Sequence, residues 1–291
     1  MNGKLLLHME DVQKVYREKC VLEDIDLKIR EGEFCTIIGP SGCGKSTLFR
    51  LILGEERQTA GSLLVDGQPI GHPDETRGIV YQQYSLFPHF TVIQNIRLGL
   101  ILQAELLQRF TKRRQFQREA AEYLERVDLV EHANKYPHEL SGGMQQRVAI
   151  AQALITKPKI LMMDEPFGAL DAMTREAMQV YLLQLWEETK MTILFVTHDL
   201  EEAVFLGTRV IVLSQHYHDK RGDGYNNRGA RVVADYKLPR DALSTNVKET
   251  AEFGRFIQQL RRDIDPSAAR CIDHFNLKHT DAFHTTSKEL V

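Results

Sequence analysis

The 291-residue sequence is 43% hydrophobic and 26% charged, which is enough apolar material for the core of one large domain or of one domain with an appendage. Lys and Arg total 37 against 40 Asp and Glu, and the net charge of -3 argues against a general affinity for nucleic acid. No apolar run reaches the roughly 18–20 residues needed to cross a bilayer, and the first residues are too briefly apolar for a secretory signal. We therefore expect the chain to stay in the cytosol.

The cysteines are scattered along the sequence and form no C-x-x-C pair (Cys20, Cys35, Cys43 and Cys271). This spacing supports neither a zinc site nor a disulfide framework, so free thiols are expected.

The first part of the sequence leads from strands into a glycine-rich loop. Residues 5–38 alternate apolar and polar positions and predict two or three strands, of which the last is the run Phe34 to Ile38. Residues 39–47 match the phosphate-loop pattern G-x-x-x-x-G-K-[ST]. A helix is predicted from Lys45 to Leu53, ended by Gly54, and further strands at 63–67 and 78–81.

The phosphate loop predicts nucleotide binding. Its glycines let backbone NH groups form an electropositive concavity at the start of a helix. Lys45 is expected to reach the β- and γ-phosphates, and the Ser46 hydroxyl to coordinate Mg²⁺. The predicted nucleotide-binding residues here are Gly39, Ser41, Gly42, Cys43, Gly44, Lys45, Ser46 and Thr47. The alternative is a turn that merely connects a strand to a helix.

The rest of the chain divides by periodicity. From about 88 to 158 the pattern is mostly helical, most clearly at 118–127 and 145–154, and indicates an inserted helical subdomain. Strands and helices then alternate at 160–163, 172–189, 192–197, 200–206 and 209–213, which favours a parallel sheet covered on both faces. Residues 215–229 predict a surface loop, 247–262 a helix, and the tail beyond Pro266 possible disorder.

An Asp-Glu pair ends the apolar strand that begins at Ile160. Ligands bind at the carboxyl ends of parallel strands, so Asp164 suits the Mg²⁺ shell and Glu165 suits a general base that activates water. Acidic residues after a strand can also simply begin a loop. The phosphate loop upstream favours the catalytic interpretation.

The stretch Leu140-Ser-Gly-Gly-Met144 lies between those two motifs and precedes a helical pattern. Ser141 is a natural N-cap, and Gly142 and Gly143 permit close backbone approach. A helix N-terminus without bulky side chains is a second anion site. The motif by itself does not determine whose nucleotide it covers. A short phosphate loop leaves the outer side of the γ-phosphate open to another subunit, and this points to a dimer.

With these motifs in this order, residues 5–240 resemble the ATPases of ATP-binding cassette (ABC) transporters. The resemblance implies an α/β fold of the P-loop NTPase class, with a mainly parallel core sheet, an antiparallel β subdomain and an inserted helical subdomain. It places the ATPase domain at 1–240, with the helical subdomain at about 88–158, and a C-terminal helical extension at 241–291.

The resemblance also assigns residues that the motifs alone do not. In the family, the serine-glycine motif covers ATP held by the opposite cassette. Gln82 resembles the Q-loop glutamine that touches Mg²⁺ or water, with Gln83 as an adjacent alternative, and Asp171 ends the D-loop-like segment 168–171. His198 resembles the switch histidine that contacts the γ-phosphate, although a lone histidine at a strand end is usually a polar loop residue. Tyr16 resembles the aromatic residue that stacks on adenine.

Segment 164–175 is similar to the ATPases of nitrate, sulfonate and taurine importers, and Gly168 and Met144 replace residues that are commoner in the family. The resemblance implies an ATPase that uses ATP and Mg²⁺ at the cytoplasmic face of the inner membrane. It implies integral membrane permease subunits, a second cassette and, indirectly, a solute-binding protein as partners, with no nucleic acid. The second cassette is expected to be identical, with a paralogue as the alternative.

Three interpretations stay open. The apolar cluster at 85–90 suits a permease interface or a plug under the helical subdomain, and the basic stretch 109–114 suits lipid phosphates or a solvated helix face. The alternative function is a soluble ABC ATPase acting on DNA or ribosomes. The stretch between Gln82 and Ser141 is too short for the long arms of DNA-repair relatives, and one cassette per chain disfavours the ribosomal class.

Overall fold

A computed structural model describes residues 3–82, 86–218, 221, 227–238, 248, 250–265 and 270–271. The strands are β1 Leu5–Tyr16, β2 Lys19–Arg30, β3 Phe34–Ile38, β4 Ala60–Val65, β5 Gln68–Pro69, β6 Arg77–Val80, β7 Ile160–Asp164, β8 Thr192–Val196, β9 Arg209–Ser214, β10 Tyr217–His218, β11 Arg231–Lys237 and β12 Arg270–Cys271. The helices are α1 Lys45–Leu53, α2 Val92–Gln103, α3 Leu106–Thr111, α4 Arg113–Arg126, α5 Gly142–Leu154, α6 Ala172–Thr189, α7 Leu200–Leu206 and α8 Ala251–Ile264.

The chain divides into two compact units: residues 1–73 with 183–291, called the β-rich unit here, and residues 74–182, called the helical unit. The β-rich unit contains an antiparallel sheet in the order β2-β1-β4-β5. It also contains strands in the order β11-β9-β3-β8, in which β3 runs parallel to both neighbours and β11 is antiparallel to β9. Every residue of β3 is buried, as expected for a central strand covered on both faces.

The helical unit pairs β6 in parallel with β7 and packs helices α2, α4 and α5 around an apolar cluster that includes Ile96, Leu124 and Val148. These helices fall in the stretch predicted to be mostly helical. Helix α4 begins at Arg113, earlier than the predicted 118, and α5 begins at Gly142. The residues that open these helices, 113–117 and 142–144, are mostly polar or glycine and carry no clear apolar period, which explains the late predicted starts.

The predicted surface loop at 215–229 is wrong in part. Tyr217 and His218 form strand β10, which pairs in parallel with β12. Tyr217 is 2% exposed, and its hydroxyl lies within hydrogen-bond distance of two acceptors, the Gly229 carbonyl at 3.0 Å and the Glu23 carboxylate at 2.9 Å. Because the neighbours of Tyr217 in the sequence are polar, the burial of this ring was not predicted.

Helix α8 occupies 251–264 rather than the predicted 247–262, because the Thr250 side chain caps it by accepting from the Phe253 amide at 3.2 Å. Cys20, Cys35 and Cys43 are free, as predicted. All three are buried, which was not predicted, and burial raises the pKa of each thiol. Within the described ranges, no helix combines the length and apolarity required to span a membrane. The predicted disorder of the tail concerns residues that lie largely outside those ranges.

Candidate nucleotide site

The phosphate loop connects the buried strand β3 to helix α1 in a conformation that requires glycine. Gly42 and Gly44 have φ values of 77° and 105°, in the left-handed region that other residues rarely adopt. A Cβ on Gly44 would lie 2.9 Å from the Leu22 side chain, and one on Gly39 would lie 2.1 Å from the Leu213 carbonyl oxygen. The strand-loop-helix setting predicted from the sequence is confirmed.

Lys45 is folded back over its own loop. Its ammonium donates to the Gly39 carbonyl at 2.8 Å and to the Pro40 carbonyl at 3.1 Å, and the residue is 8% exposed. A buried ammonium group needs such acceptors. The cation is therefore held at the loop, while Ser41 and Ser46 are exposed and Thr47 is buried.

His198 lies on a turn between β8 and α7 in the same unit. The side chain of Asp199 accepts from the amides of Glu201 and Glu202 at 2.9 and 3.2 Å, and so caps α7. Thr197 donates through its hydroxyl to Glu202 at 2.5 Å and accepts from the Asp199 amide at 3.0 Å. These bonds fix the backbone on both sides of His198, which itself is exposed. No motif in the sequence had identified Thr197, Asp199 or Glu202.

The acidic pair lies at the end of β7 in the helical unit, where Asp164 is the last residue of the strand and Glu165 follows it. Val80, the last residue of β6, is in register with Met163, so Gln82 and Asp164 lie at the same end of two neighbouring strands. Glu165 has φ 47°, a left-handed conformation that is unusual for a residue with a side chain. Backbone strain of this kind is concentrated at functional sites.

Gln82 lies against the turn that follows Glu165. The backbone amide of Gly168 donates to the Glu165 carbonyl at 3.2 Å. A Cβ on Gly168 would lie 3.2 Å from the side-chain nitrogen Nε2 of Gln82. A serine at 168, the commoner residue in the predicted family, would therefore push this side chain aside by a few tenths of an ångström. Gln83, the alternative Q-loop residue, lies outside the described residues.

The serine-glycine motif begins helix α5 as predicted. Ser141 is the N-cap, and its hydroxyl accepts from the Met144 amide at 3.4 Å. Ser141 is exposed, whereas Gly143 is buried. A Cβ on Gly143 would come within 2.5 Å of the Thr174 methyl group, so the second glycine is required by packing.

Comparison with known proteins agrees with this geometry. Residues 22–168 match the family described as ABC transporter. The chain is 48% identical to the nitrate import ATP-binding protein NrtD of Synechocystis sp. over 87% of this chain and 94% of that protein. The chain belongs to the ABC transporter family. It is an ATPase of that family, whose activity is coupled to transport.

Two further similarities are informative. The cassette is 44% identical to the aliphatic sulfonates import ATP-binding protein SsuB of Bacillus cereus, over 67% of this chain and 74% of that protein. It superimposes with a TM-score of 0.65 on a dimeric ATP-binding cassette in a post-hydrolysis state bound to ADP and Pi. That structure is 32% identical and is covered completely, against 81% of this chain.

Asp171 of the cassette caps α6 by accepting from the Thr174 amide at 3.1 Å. Hydrogen bonds from the Thr174 side chain and amide lower the pKa of this carboxyl. Thr174 therefore contacts both the Asp171 cap and Gly143, and connects the D-loop to the serine-glycine motif within the helical unit. No sequence signal identified Thr174.

Tyr16 is 37% exposed in the β-rich unit, and its hydroxyl is hydrogen-bonded to Glu56. The Lys14 ammonium lies 4.8 Å from the ring centroid, and Lys14 and Arg50 both pair with Glu56. Burial acts to raise the pKa of Glu56, but hydrogen bonds from Lys14, Tyr16 and Arg50 outweigh it and lower the value to about 2.

The predicted residues thus fall in two groups. Tyr16, the phosphate loop and His198 belong to the β-rich unit, and Gln82, Ser141–Gly143, Asp164, Glu165 and Asp171 belong to the helical unit. Within the described part of the chain, no group of three or more His, Cys, Asp or Glu could hold a metal ion. A cation site here would need hydroxyl or amide oxygens as well.

Proposed function

We propose that this cassette is the ATP-hydrolysing motor of an importer for a small solute of the nitrate, sulfonate or taurine class. The observation that carries the proposal is the similarity along nearly the whole length of a nitrate import protein, together with an intact set of phosphate-loop, Asp-Glu and serine-glycine residues. Residues 1–240 form the ATPase domain, with a helical subdomain at about 88–158, and 241–291 form a C-terminal extension.

In this proposal Lys45 exchanges its bonds to the loop carbonyls for bonds to the β- and γ-phosphates of ATP. Ser46, Gln82 and Asp164 supply hydroxyl, amide and carboxylate oxygens, which are the ligands that Mg²⁺ prefers. The ion would neutralise charge that develops on the phosphate oxygens. Tyr16 stacks on adenine. Because the Lys14 ammonium lies over the Tyr16 ring, this stacking requires that Lys14 leave one face of the ring free.

Glu165 acts as the general base toward the attacking water. Its left-handed backbone and the turn to Gly168 fix the direction in which the side chain leaves the strand edge. His198 contacts the γ-phosphate from a turn held by the pair Thr197 and Glu202. Each group has its geometry set by the backbone before substrate binds, which is the condition for electrostatic stabilisation.

The site is completed by a second, identical cassette. Ser141, Gly142 and Gly143 of one copy cover ATP held at Lys45 of the other, and Asp171 lies at the same contact. The exposed Ser141 at a helix N-terminus offers an anion-binding end that its own chain leaves accessible. Because the nucleotide bridges two chains, its binding closes the dimer and its cleavage reopens it.

The motion is passed to integral membrane permease subunits through the loop at 86–90. Asn95 is fully buried and builds this loop: it accepts from the Phe87 amide at 2.7 Å and donates to the carbonyls of Phe87 and Phe90 at 3.1 and 3.0 Å. The two phenylalanine rings lie 5.6 Å apart and stay 48% and 37% exposed. A loop that is held by a buried side chain and presents aromatic rings to solvent is typical of a binding surface. Ser85 lies outside the described residues.

The cassette therefore works at the cytoplasmic face of the inner membrane, bound peripherally to its permease, and a solute-binding protein acts with it indirectly. The test is growth of a deletion strain on nitrate, an alkanesulfonate or taurine as sole nitrogen or sulfur source. Loss of growth on one of them, restored by the wild-type gene and not by Glu165→Gln, is expected. Normal growth on all three, or co-purification with ribosomes or DNA instead of a permease, would overturn the proposal.

A further inference from the structure

The helical unit exposes apolar side chains where helix α2 ends and helix α3 begins. Leu102, Leu106, Leu107 and Phe110 are 65, 73, 79 and 81% exposed. Helix α3 buries none of its residues. Leu106 and Phe110 are four residues apart and lie on one face of the helix, with Leu107 beside them. This is a contiguous apolar strip of a kind that soluble proteins seldom leave uncovered.

A group of cations accompanies the strip in the same short segment. Arg109, Lys112, Arg113 and Arg114 stand against one acid, Glu105, in a chain whose net charge is -3. The guanidinium of Arg109 donates to the Ala104 carbonyl at 3.0 Å. Among the described residues, none of the four makes an ion pair with an acidic side chain. The positive charge is therefore not neutralised within this part of the chain.

Neighbouring charges add to the local positive potential. Arg97 of α2 donates to the side chain of Gln117 of α4 at 2.9 Å. In the part of the chain that the structure describes, Arg97 has no carboxylate partner. Burial and the nearby charge of Arg113 lower the pKa of Arg97. Two guanidinium groups close enough to affect each other indicate that this end of the helical unit is suited to an anionic surface.

We propose that residues 102–114, the basic apolar segment, contact the anionic lipid surface of the membrane directly. The leucine and phenylalanine side chains enter the boundary between headgroups and acyl chains, and the cations meet lipid phosphates. A protein groove that covered the strip would have to desolvate and pair four cations, which is costly. Lipid headgroups neutralise them while they stay hydrated. This contact goes beyond permease docking and does not depend on it.

The experiment uses the full-length protein and sedimentation with vesicles that contain no permease. We expect binding to vesicles of phosphatidylcholine with phosphatidylglycerol, weaker binding at high salt, and little binding to phosphatidylcholine alone. The charge variant Lys112→Gln/Arg113→Gln/Arg114→Gln should lower the partition coefficient about a hundredfold, because each of the three surface cations contributes a factor of about five. Leu107→Gln/Phe110→Gln should also reduce binding.

Matched controls come from exposed residues elsewhere. Lys19→Gln/Lys28→Gln/Arg57→Gln removes the same charge from the β-rich unit, and Val130→Gln removes an apolar side chain that is 57% exposed. Both controls should bind like the wild type, and every variant should keep its ATPase rate in solution. Equal losses in segment and control variants, or no binding of the wild type to anionic vesicles, would overturn the proposal. So would unchanged vesicle binding by segment variants that no longer capture the detergent-solubilised permease.

Discussion

The two glycine motifs of the cassette are built differently. In the phosphate loop, Lys45 bonds to two carbonyls of its own loop and Gly44 packs on Leu22 of β2. In the serine-glycine motif, Ser141 is exposed and Gly143 packs against Thr174 of helix α6. The first motif is held by its own lysine and by strands of the β-rich unit, whereas the second depends on helix α6. Binding of nucleotide and closure of the dimer should therefore respond to different mutations.

The largest expected effect is that of Glu165→Gln on hydrolysis, since Glu165 belongs to neither glycine motif. Glu165→Gln keeps the side-chain length and the same left-handed backbone, so it removes the proposed base without altering local strain. Hydrolysis should fall by about 10²–10⁴ while ATP binding is retained. Single-turnover hydrolysis and equilibrium binding of ATP measure the two quantities. Glu188→Gln, on the exposed side of α6, is the control, and hydrolysis by Glu165→Gln at the wild-type rate would remove the assigned base.

Lys45→Ala tests whether the phosphate loop binds nucleotide by itself. Removing the ammonium should weaken ATP binding by about tenfold to a hundredfold, as expected for the loss of charge-assisted hydrogen bonds. Fluorescent-nucleotide titration of monomeric protein measures this, with Lys28→Ala of strand β2 as the control. Unchanged affinity in Lys45→Ala would show that the loop does not hold the phosphates through this residue.

Gly143→Ala tests the dependence of the second motif on α6. Alanine is favoured over glycine inside a helix, so any loss must come from its contact with Thr174, 2.5 Å from the added carbon. The free energy of unfolding should fall by about 1–3 kcal/mol, and steady-state ATPase activity should fall with it. Binding of ATP to the monomer should not change.

The matched rescue is Thr174→Ser, which removes the methyl group in contact and keeps the hydroxyl that hydrogen-bonds to Asp171. Thr174→Ser in the Gly143→Ala background should restore both stability and activity. If chemical denaturation gives the same midpoint for the single and double variants, the two motifs are not connected through this contact.

The smallest effect concerns the surroundings of Tyr16. The pKa of Glu56 is lowered to about 2, so its contribution to stability is present above the ordinary carboxyl pKa and is lost as the pH falls toward 2. Glu56→Gln should lower the melting temperature by about 1–3 °C at neutral pH, because the pairs are solvent-accessible. The difference from wild type should shrink in acid. A difference that is constant from pH 7 to pH 3 would contradict the assignment.

Much of the site was predictable because its motifs are local. The phosphate loop, the Ser141 cap and the helix stop at Gly54 follow from residues within one turn of each other, and the structure contains all three. Thr174 was not predictable, because its contact with Gly143 joins residues distant in sequence. Asn95 was not predictable either, because its role depends on how the loop before α2 folds back over the start of that helix. Tyr217 was missed for a different reason: its neighbours in the sequence are polar and predict a surface loop, although the residue itself is buried.

The central claim is that ATP joins two copies of this chain. The most direct test is the mass of Glu165→Gln by analytical ultracentrifugation at saturating ATP with Mg²⁺, alone and with detergent-solubilised permease. The account predicts a dimer of cassettes that forms with ATP, dissociates with ADP and is abolished by Ser141→Arg, with nucleotide binding retained. Cassettes that stay monomeric at saturating ATP with the permease present would contradict it.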